Sequence, residues 1–267
     1  MTVVNQQYRV LNPAGAIPRE ISEVVNNAMN GKTNNVGTVT LSTGWATTTT
    51  IYNERIGYNS YISLVPASST AFSDTLPDGS ISDTTNQYAT TASPFNFNTQ
   101  DVSNGVYLSS NKMYFRNSGR YNIQFSVEFA NTDSQIQEAH IWLRKNGTNV
   151  AGTGSKYGVP NKHGSIDGYL IAVANFFVDI TAGDYLELMW SANAYANSGG
   201  TTTGIYVEAY AAAGSIPAAP SVVMTAQYNQ ASASTNVYIS SQQQGQATLS
   251  HFANNTADKI YRYLVVG

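Results

Sequence analysis

Five apolar residues, Tyr121, Ile123, Phe125, Val127 and Phe129, alternate without a break with Asn122, Gln124, Ser126 and Glu128. A period of two places one set on each side of an extended chain, and only a strand with one buried face satisfies it. The same texture recurs. Ala139, Ile141 and Leu143 alternate with Glu138, His140 and Trp142, and Asn146-Gly147 follows as a hairpin turn. Leu186, Leu188 and Trp190 follow the turn Ala182-Gly183-Asp184, and Ile205, Val207 and Ala209 mark a further strand. The run from Tyr169 to Ile180 is almost wholly apolar and is expected to be buried on both faces. The chain closes on a strand from Ile260 to Val266. Many short strands separated by turns predict an all-β fold of the sandwich or jelly-roll kind.

One segment reads otherwise. Ile21, Val24, Val25, Ala28 and Met29 follow the i, i+3, i+4, i+7, i+8 spacing of one helix face, with Pro18 at the first turn and Gly31 at the stop. The spacing predicts a helix over about 18–30. At some three turns it is too short to persist alone in water, so its apolar stripe must dock on its own domain, a neighbouring subunit or a larger particle.

Composition narrows the functions. Of 267 residues, 13 are Lys or Arg and 16 Asp or Glu, a net charge of −3, and only 11% are charged. No basic excess exists to neutralise a phosphate backbone, so nucleic acid is not an expected partner. No apolar run approaches the roughly 20 residues of a membrane span, so membrane insertion is not expected. The opening residues lack the layout of a signal peptide. With no cysteine the chain forms no disulfide and no thiolate site. That suits synthesis in a cytoplasm and later exposure outside it.

Changes of texture at Pro77-Asp-Gly79 and at Gly214 to Pro220, followed by the polar stretch Asn229–Asn236, set apart residues 80–228, which hold nearly all the strong alternation. The tail 229–267 is too short to fold alone, yet its apolar strand must be buried. Val36 to Leu41 and Tyr61 to Val65 need company too. The expected organisation is an N-terminal arm and helix (1–35), a discontinuous β base domain (36–79 with 229–267), and a jelly roll (80–228) inserted into it.

Two motifs in the insert carry a resemblance. Phe115-Arg-Asn-Ser-Gly119-Arg-Tyr121-Asn-Ile-Gln-Phe125 resembles a strand of the complement-globular-head and tumour-necrosis-factor superfamily. Val178-Asp-Ile-Thr-Ala-Gly183-Asp184-Tyr-Leu-Glu-Leu resembles that superfamily's later turn and strand. A narrower resemblance spans about 17–267. Ile141 to Val150, Ala182 to Trp190 and Ser215 to Val223 look like jelly-roll modules of tailed-phage virion proteins. Thr47 to Pro66 and Gly245 to Gly267 look like the two halves of a small module from such proteins. The resemblance implies a non-enzymatic virion structural protein, made in a bacterial cytoplasm and carried on the virion surface. Its expected role is a capsid decoration protein or short head fibre that stabilises the shell or adheres to host glycans. A tail-associated fibre or receptor-binding protein is the alternative. Jelly rolls of this superfamily are usually trimers, so the expected partners are a second and third copy, with the major capsid protein or tail components.

Residue chemistry adds little that is catalytic. The three histidines, His140, His163 and His251, have no ligand spacing between them, and no G-x-S-x-G elbow is present. No cofactor is expected. Asp74, Asp78 and Asp83 could line a Ca²⁺ loop but read first as turn formers. Asp101 with Glu128, or Asp179 with Glu187, could pair as glycosidase carboxylates, with no further signature to support either. Asn146-Gly-Thr148 and Asn254-Asn-Thr256 match glycosylation acceptors but read as turns. The aromatic and polar residues Tyr206, Tyr210, Trp142, His140 and Tyr157 are the candidate trimer or glycan contacts, with Tyr169 and Tyr195 bordering polar loops. The stripe Ile21, Val24, Val25, Ala28 and Met29 is the candidate virion-docking surface.

Overall fold

The computed structural model describes residues 10–12, 14–30, 35–72, 76–229 and 236–266. In chain order the first elements are α1 (Pro18–Met29), β1 (Val36–Thr40), β2 (Ala46–Tyr52), β3 (Tyr61–Pro66), α2 (Ser69–Phe72), β4 (Asp78–Asp83) and β5 (Ser93–Pro94). There follow β6 (Thr99–Asn104), β7 (Val106–Ser109), β8 (Lys112–Phe115), β9 (Gly119–Asn131), β10 (Gln137–Lys145), β11 (Thr148–Asn149) and β12 (Ser155–Val159). The last are β13 (Gly168–Ile180), β14 (Tyr185–Ala192), β15 (Ile205–Val207), β16 (Val222–Tyr228), β17 (Val237–Gln243), β18 (Gln246–Asn254) and β19 (Ile260–Val266). Among the described residues the fold is all-β apart from α1 and α2. The chain divides into two compact units, one of residues 1–75 with 234–267 and one of residues 76–233.

The first unit contains two three-stranded antiparallel sheets, β1-β19-β3 and β17-β18-β2. The closing strand β19 is the middle strand of its sheet: Leu264 lies opposite Val36 on one side and Ser63 on the other. Alternation along β19 buries Tyr261, Tyr263 and Val265, which join Val39, Leu41, Ile51, Ile56 and Leu249 in one core. Buried polar side chains tie the loops to that core. The Asn254 amide donates to the carbonyls of Leu41, Ser42 and Thr256 at 3.3, 3.1 and 2.8 Å, and its oxygen accepts from Thr256. This closes the turn expected there. His251 Nδ1 donates to the Phe252 carbonyl at 2.7 Å, which leaves Nε2 to accept from the Thr49 hydroxyl at 2.9 Å. Helix α1 begins at Pro18, with Glu20 accepting the Ile17 N–H at 3.3 Å, and buries none of its residues. The expected stop at Gly31 lies outside the described residues.

The second unit is a sandwich of two antiparallel sheets. One has the order β13-β9-β16-β4-β6, with β15 also on β9; the other has the order β11-β10-β14-β8-β7, with β12 on β10 and β5 on β14. Their inner faces share one core, to which β9 gives Tyr121, Ile123, Phe125, Val127 and Phe129 and β14 gives Leu186, Leu188 and Trp190. Trp190 stacks with Phe95 at 5.7 Å between ring centroids, and Phe115 meets Tyr121 edge-on at 4.8 Å.

Two expectations are corrected here. The run from Tyr169 to Ile180 is buried on one face only. β13 is the edge of its sheet; Ala172, Val178 and Ile180 point into the core, while Tyr169, Ile171, Val173 and Phe177 point out. The strand expected through Ala209 ends at Val207, and all three residues of β15, Tyr206 included, are buried.

Gly119 opens β9 at φ +152°, and a Cβ there would lie 2.2 Å from the Tyr228 ring, which itself packs on Tyr121. Gly119→Ala is expected to destabilise the second unit by about 2–4 kcal/mol, from backbone strain and the displaced ring together. Loss of amide exchange protection in β9 and β16, with β18 and β19 unchanged, checks it.

Candidate functional site

The outward side chains of β13, β9 and β16 form the surface of the second unit that most needs explanation. β13 runs antiparallel to β9 over thirteen residue pairs, with Ile171 opposite Glu128, Val173 opposite Ser126, Asn175 opposite Gln124 and Phe177 opposite Asn122. On the far side of β9, Val223 lies opposite Ser126 and Thr225 opposite Gln124. The parity that points β9's odd residues inward therefore points the odd residues of β13 outward. Tyr169 is 53% exposed, Ile171 58%, Val173 60% and Phe177 62%. These side chains form an apolar ridge on one strand. Beside it lies a depression of about 490 Å³, lined by Gln124, Ser126, Val173, Asn175, Val223 and Thr225. The side-chain amide oxygen of Asn122, next to Phe177 in this face, is buried without a hydrogen-bond partner. Buried acceptors are almost always paired, so this one marks a place where a donor is owed.

Each end of the ridge is charged. At one end Arg120 makes a bidentate pair with Asp179 at 2.7 and 3.0 Å, which holds the Asp179 carboxyl below its ordinary range. At the other end the Glu208 N–H donates to the Glu128 carbonyl at 2.9 Å. The Tyr206 hydroxyl donates to Glu208 at 3.2 Å and approaches Asp167 at 3.5 Å, and Lys162 pairs with Asp167 at 3.3 Å. Burial, and then Glu208, push the Glu128 carboxyl upward.

The sequence candidates are scattered over the fold. Tyr206, expected to be an exposed contact, is only 8% exposed. Its ring stacks on Tyr88 at 5.3 Å and packs with Ala130 and Ala196, so little of it can reach a partner. Tyr210 is exposed in the loop after β15 and exchanges backbone hydrogen bonds with Ala219. His140 and Trp142 belong to β10, on the outer side of the opposite sheet, where the Trp142 indole donates to Asn149 at 2.9 Å. Tyr157, half-buried on β12, packs against the core and donates to the Val173 carbonyl at 3.1 Å. These five residues do not make one surface. The ridge was missed because a continuous apolar run does not reveal which of its faces is covered. The α1 stripe is in the open: Ile21, Val25, Ala28 and Met29 are exposed and Val24 is half-buried.

The acids considered for catalysis have other partners or positions. Asp179 holds Arg120, whereas Glu187, on the other sheet, receives a bidentate bond from Arg144 at 2.8 and 3.0 Å. Asp101 accepts from Ser80 and Ser82. Asp74 lies outside the described residues; Asp78 and Asp83 are the two ends of β4, where Asp78 accepts from Asn104 of the paired β6 and Asp83 from the Thr85 N–H two residues on. Among the described residues no three His, Asp or Glu side chains converge to hold a metal ion, and no helix is long and apolar enough to cross a membrane.

Comparison with protein-family models finds no match, and comparison with curated proteins finds none either.

Tyr206→Phe keeps the ring stack and removes one hydroxyl donor, with an expected cost of about 0.5–1.5 kcal/mol. Tyr206→Ala empties the space against Ala130 and Ala196 and is expected to cost about 3–5 kcal/mol. Denaturant midpoints of the two variants check this ordering.

Proposed function

We propose that this chain is a structural protein of a tailed-phage virion, a capsid decoration protein or short head fibre. In this reading the second unit assembles three copies, and the first unit attaches them to the major capsid protein. The observation that carries the reading is the apolar ridge of β13 beside its trough. A ridge on one copy fits the trough of the next, and such a head-to-tail contact closes into a ring when the rotation allows. Two of the three strands are 13 residues long and the third 7. At about 3.3 Å per residue and about 4.8 Å between strands, the face covers roughly 500 Å². That is the order of the roughly 800 Å² per partner of a standard interface. The contact would also supply the donor that Asn122 lacks. The motifs at 115–125 and 178–188, with their resemblance to a trimeric superfamily, support the same reading. Three weak attachment points on one particle multiply through effective concentration, so no single base contact needs to be tight.

Sedimentation of the intact chain tests assembly: a trimer is expected, and a monomer at every concentration would refute it. Val173→Asp places an unpaired carboxylate in the contact and is expected to weaken association by a hundredfold or more, from a penalty of about 3 kcal/mol or above. Its far-ultraviolet circular dichroism should stay that of the parent, because Val173 does not contribute to the core. Copy number in purified virions tests location: hundreds per particle fit decoration of the head, whereas a handful fits a tail fibre.

A further inference from the structure

We infer that self-association through the β13–β9–β16 face is linked to proton uptake, with Glu128 as the group that takes up the proton and Glu208 as the like charge beside it. The inference rests on the assembly reading above and concerns its regulation. Glu128 is the only acidic side chain on the outward face of β9, and it stands opposite Ile171, towards the Tyr169 end of the apolar ridge. A copy that covers Ile171 and Val173 therefore covers Glu128 as well.

The surroundings offer this carboxylate no compensating cation of its own. Across from it on β13 are Ile171 and Tyr169, and on its own strand the outward neighbours are Ser126 and Ala130. On the β15 side stand Glu208, tied to it through the backbone, and Tyr206. Beyond them lie Asp167 with Lys162, and His163 follows Lys162 in the chain. Lys162 is 3.3 Å from Asp167 and is engaged there. On the β16 side the Glu128 N–H donates to the Ser221 carbonyl. Two phenols near the pair, Tyr169 and Tyr206, are both held above their ordinary range, so they stay neutral and take no part.

The sign follows. In the free chain the Glu128 carboxyl already binds its proton at higher pH than usual, through burial and then through Glu208. Covering it with apolar surface removes more water and raises it further. A group whose pKa is higher in the assembly than in the free chain strengthens assembly fully below its free-chain value. That contribution is lost as pH rises through the assembled value. Each proton taken up per contact changes the association constant by up to about tenfold per pH unit within this window.

Sedimentation equilibrium of the full chain between pH 5 and pH 8 tests the inference, alongside Glu128→Gln, a neutral side chain of the same shape, and Glu208→Gln made separately. The parent is expected to associate more tightly as pH falls. Glu128→Gln is expected to associate more tightly than the parent at pH 8, with little remaining slope, and Glu208→Gln to show a reduced slope. A parent that assembles with no dependence on pH, or a Glu128→Gln variant that keeps the parental slope, overturns the proton linkage and leaves assembly standing. A chain that is monomeric at every pH overturns both.

Discussion

The buried parity of β9 is the constraint from which the second unit follows. Its odd residues from Tyr121 to Phe129 are committed to the core, and a shift of one place would put five large apolar groups into water and five polar ones inside. Because β13 and β16 pair with β9 in continuous register, they inherit that commitment. Met224 and Ala226 go inward for the same reason that Ile171 and Val173 go outward. The apolar ridge is thus no accident of a loosely packed edge. It is what remains when an apolar strand is made the neighbour of a half-polar one. Water would ordinarily select polar residues at those positions, and the four apolar or aromatic side chains found there support the assembly proposed above.

Much of the architecture was legible in the sequence because it is written in nearest-neighbour terms. The alternation at 121–129 and 139–143, the turn at Asn146-Gly147 and the apolar close of the chain all became strands and turns where the spacing put them. The need of Ile260–Val266 for company is met by the segments that needed company themselves, β1 and β3. What could not be read was any property set by a distant segment. Tyr206 looks like the outward residue of a strand between Ile205 and Val207 until Tyr88 is laid across its ring. The run 169–180 looks like a central strand until its second edge is found to have no neighbouring strand. Once β13 pairs with β9 the exposed stripe follows from parity alone, and that pairing is set by residues about fifty positions away. The α1 stripe shows the opposite case, a local pattern that forms as expected while the chain itself offers it no cover.

The electrostatics of the second unit are frugal and local. Most charges are spent on short-range pairs: Arg120 on Asp179, Arg144 on Glu187, Lys162 on Asp167, Lys156 on Glu138. The polar work of the fold is done by amides and hydroxyls, as at Asn254, Thr49 and His251 in the first unit and at Gln87, whose amide bridges Asn96 and Ser221 in the second. A surface solvated in this way is little affected by salt. The uncompensated Glu128 stands out against it.

The central place of β19 also sets an order of events at the ribosome. β1 and β3 emerge early, yet the strand that must lie between them is translated roughly 200 residues later. At elongation rates of about 5–20 residues per second that is a wait of about ten to forty seconds. The whole of the second unit is synthesised during the wait and has every strand it needs before the first unit can close. Two nascent edges stay open throughout this interval. Their short length, five and six residues, and Pro66 at the end of β3 limit what another chain can pair with before this one reaches its own tail.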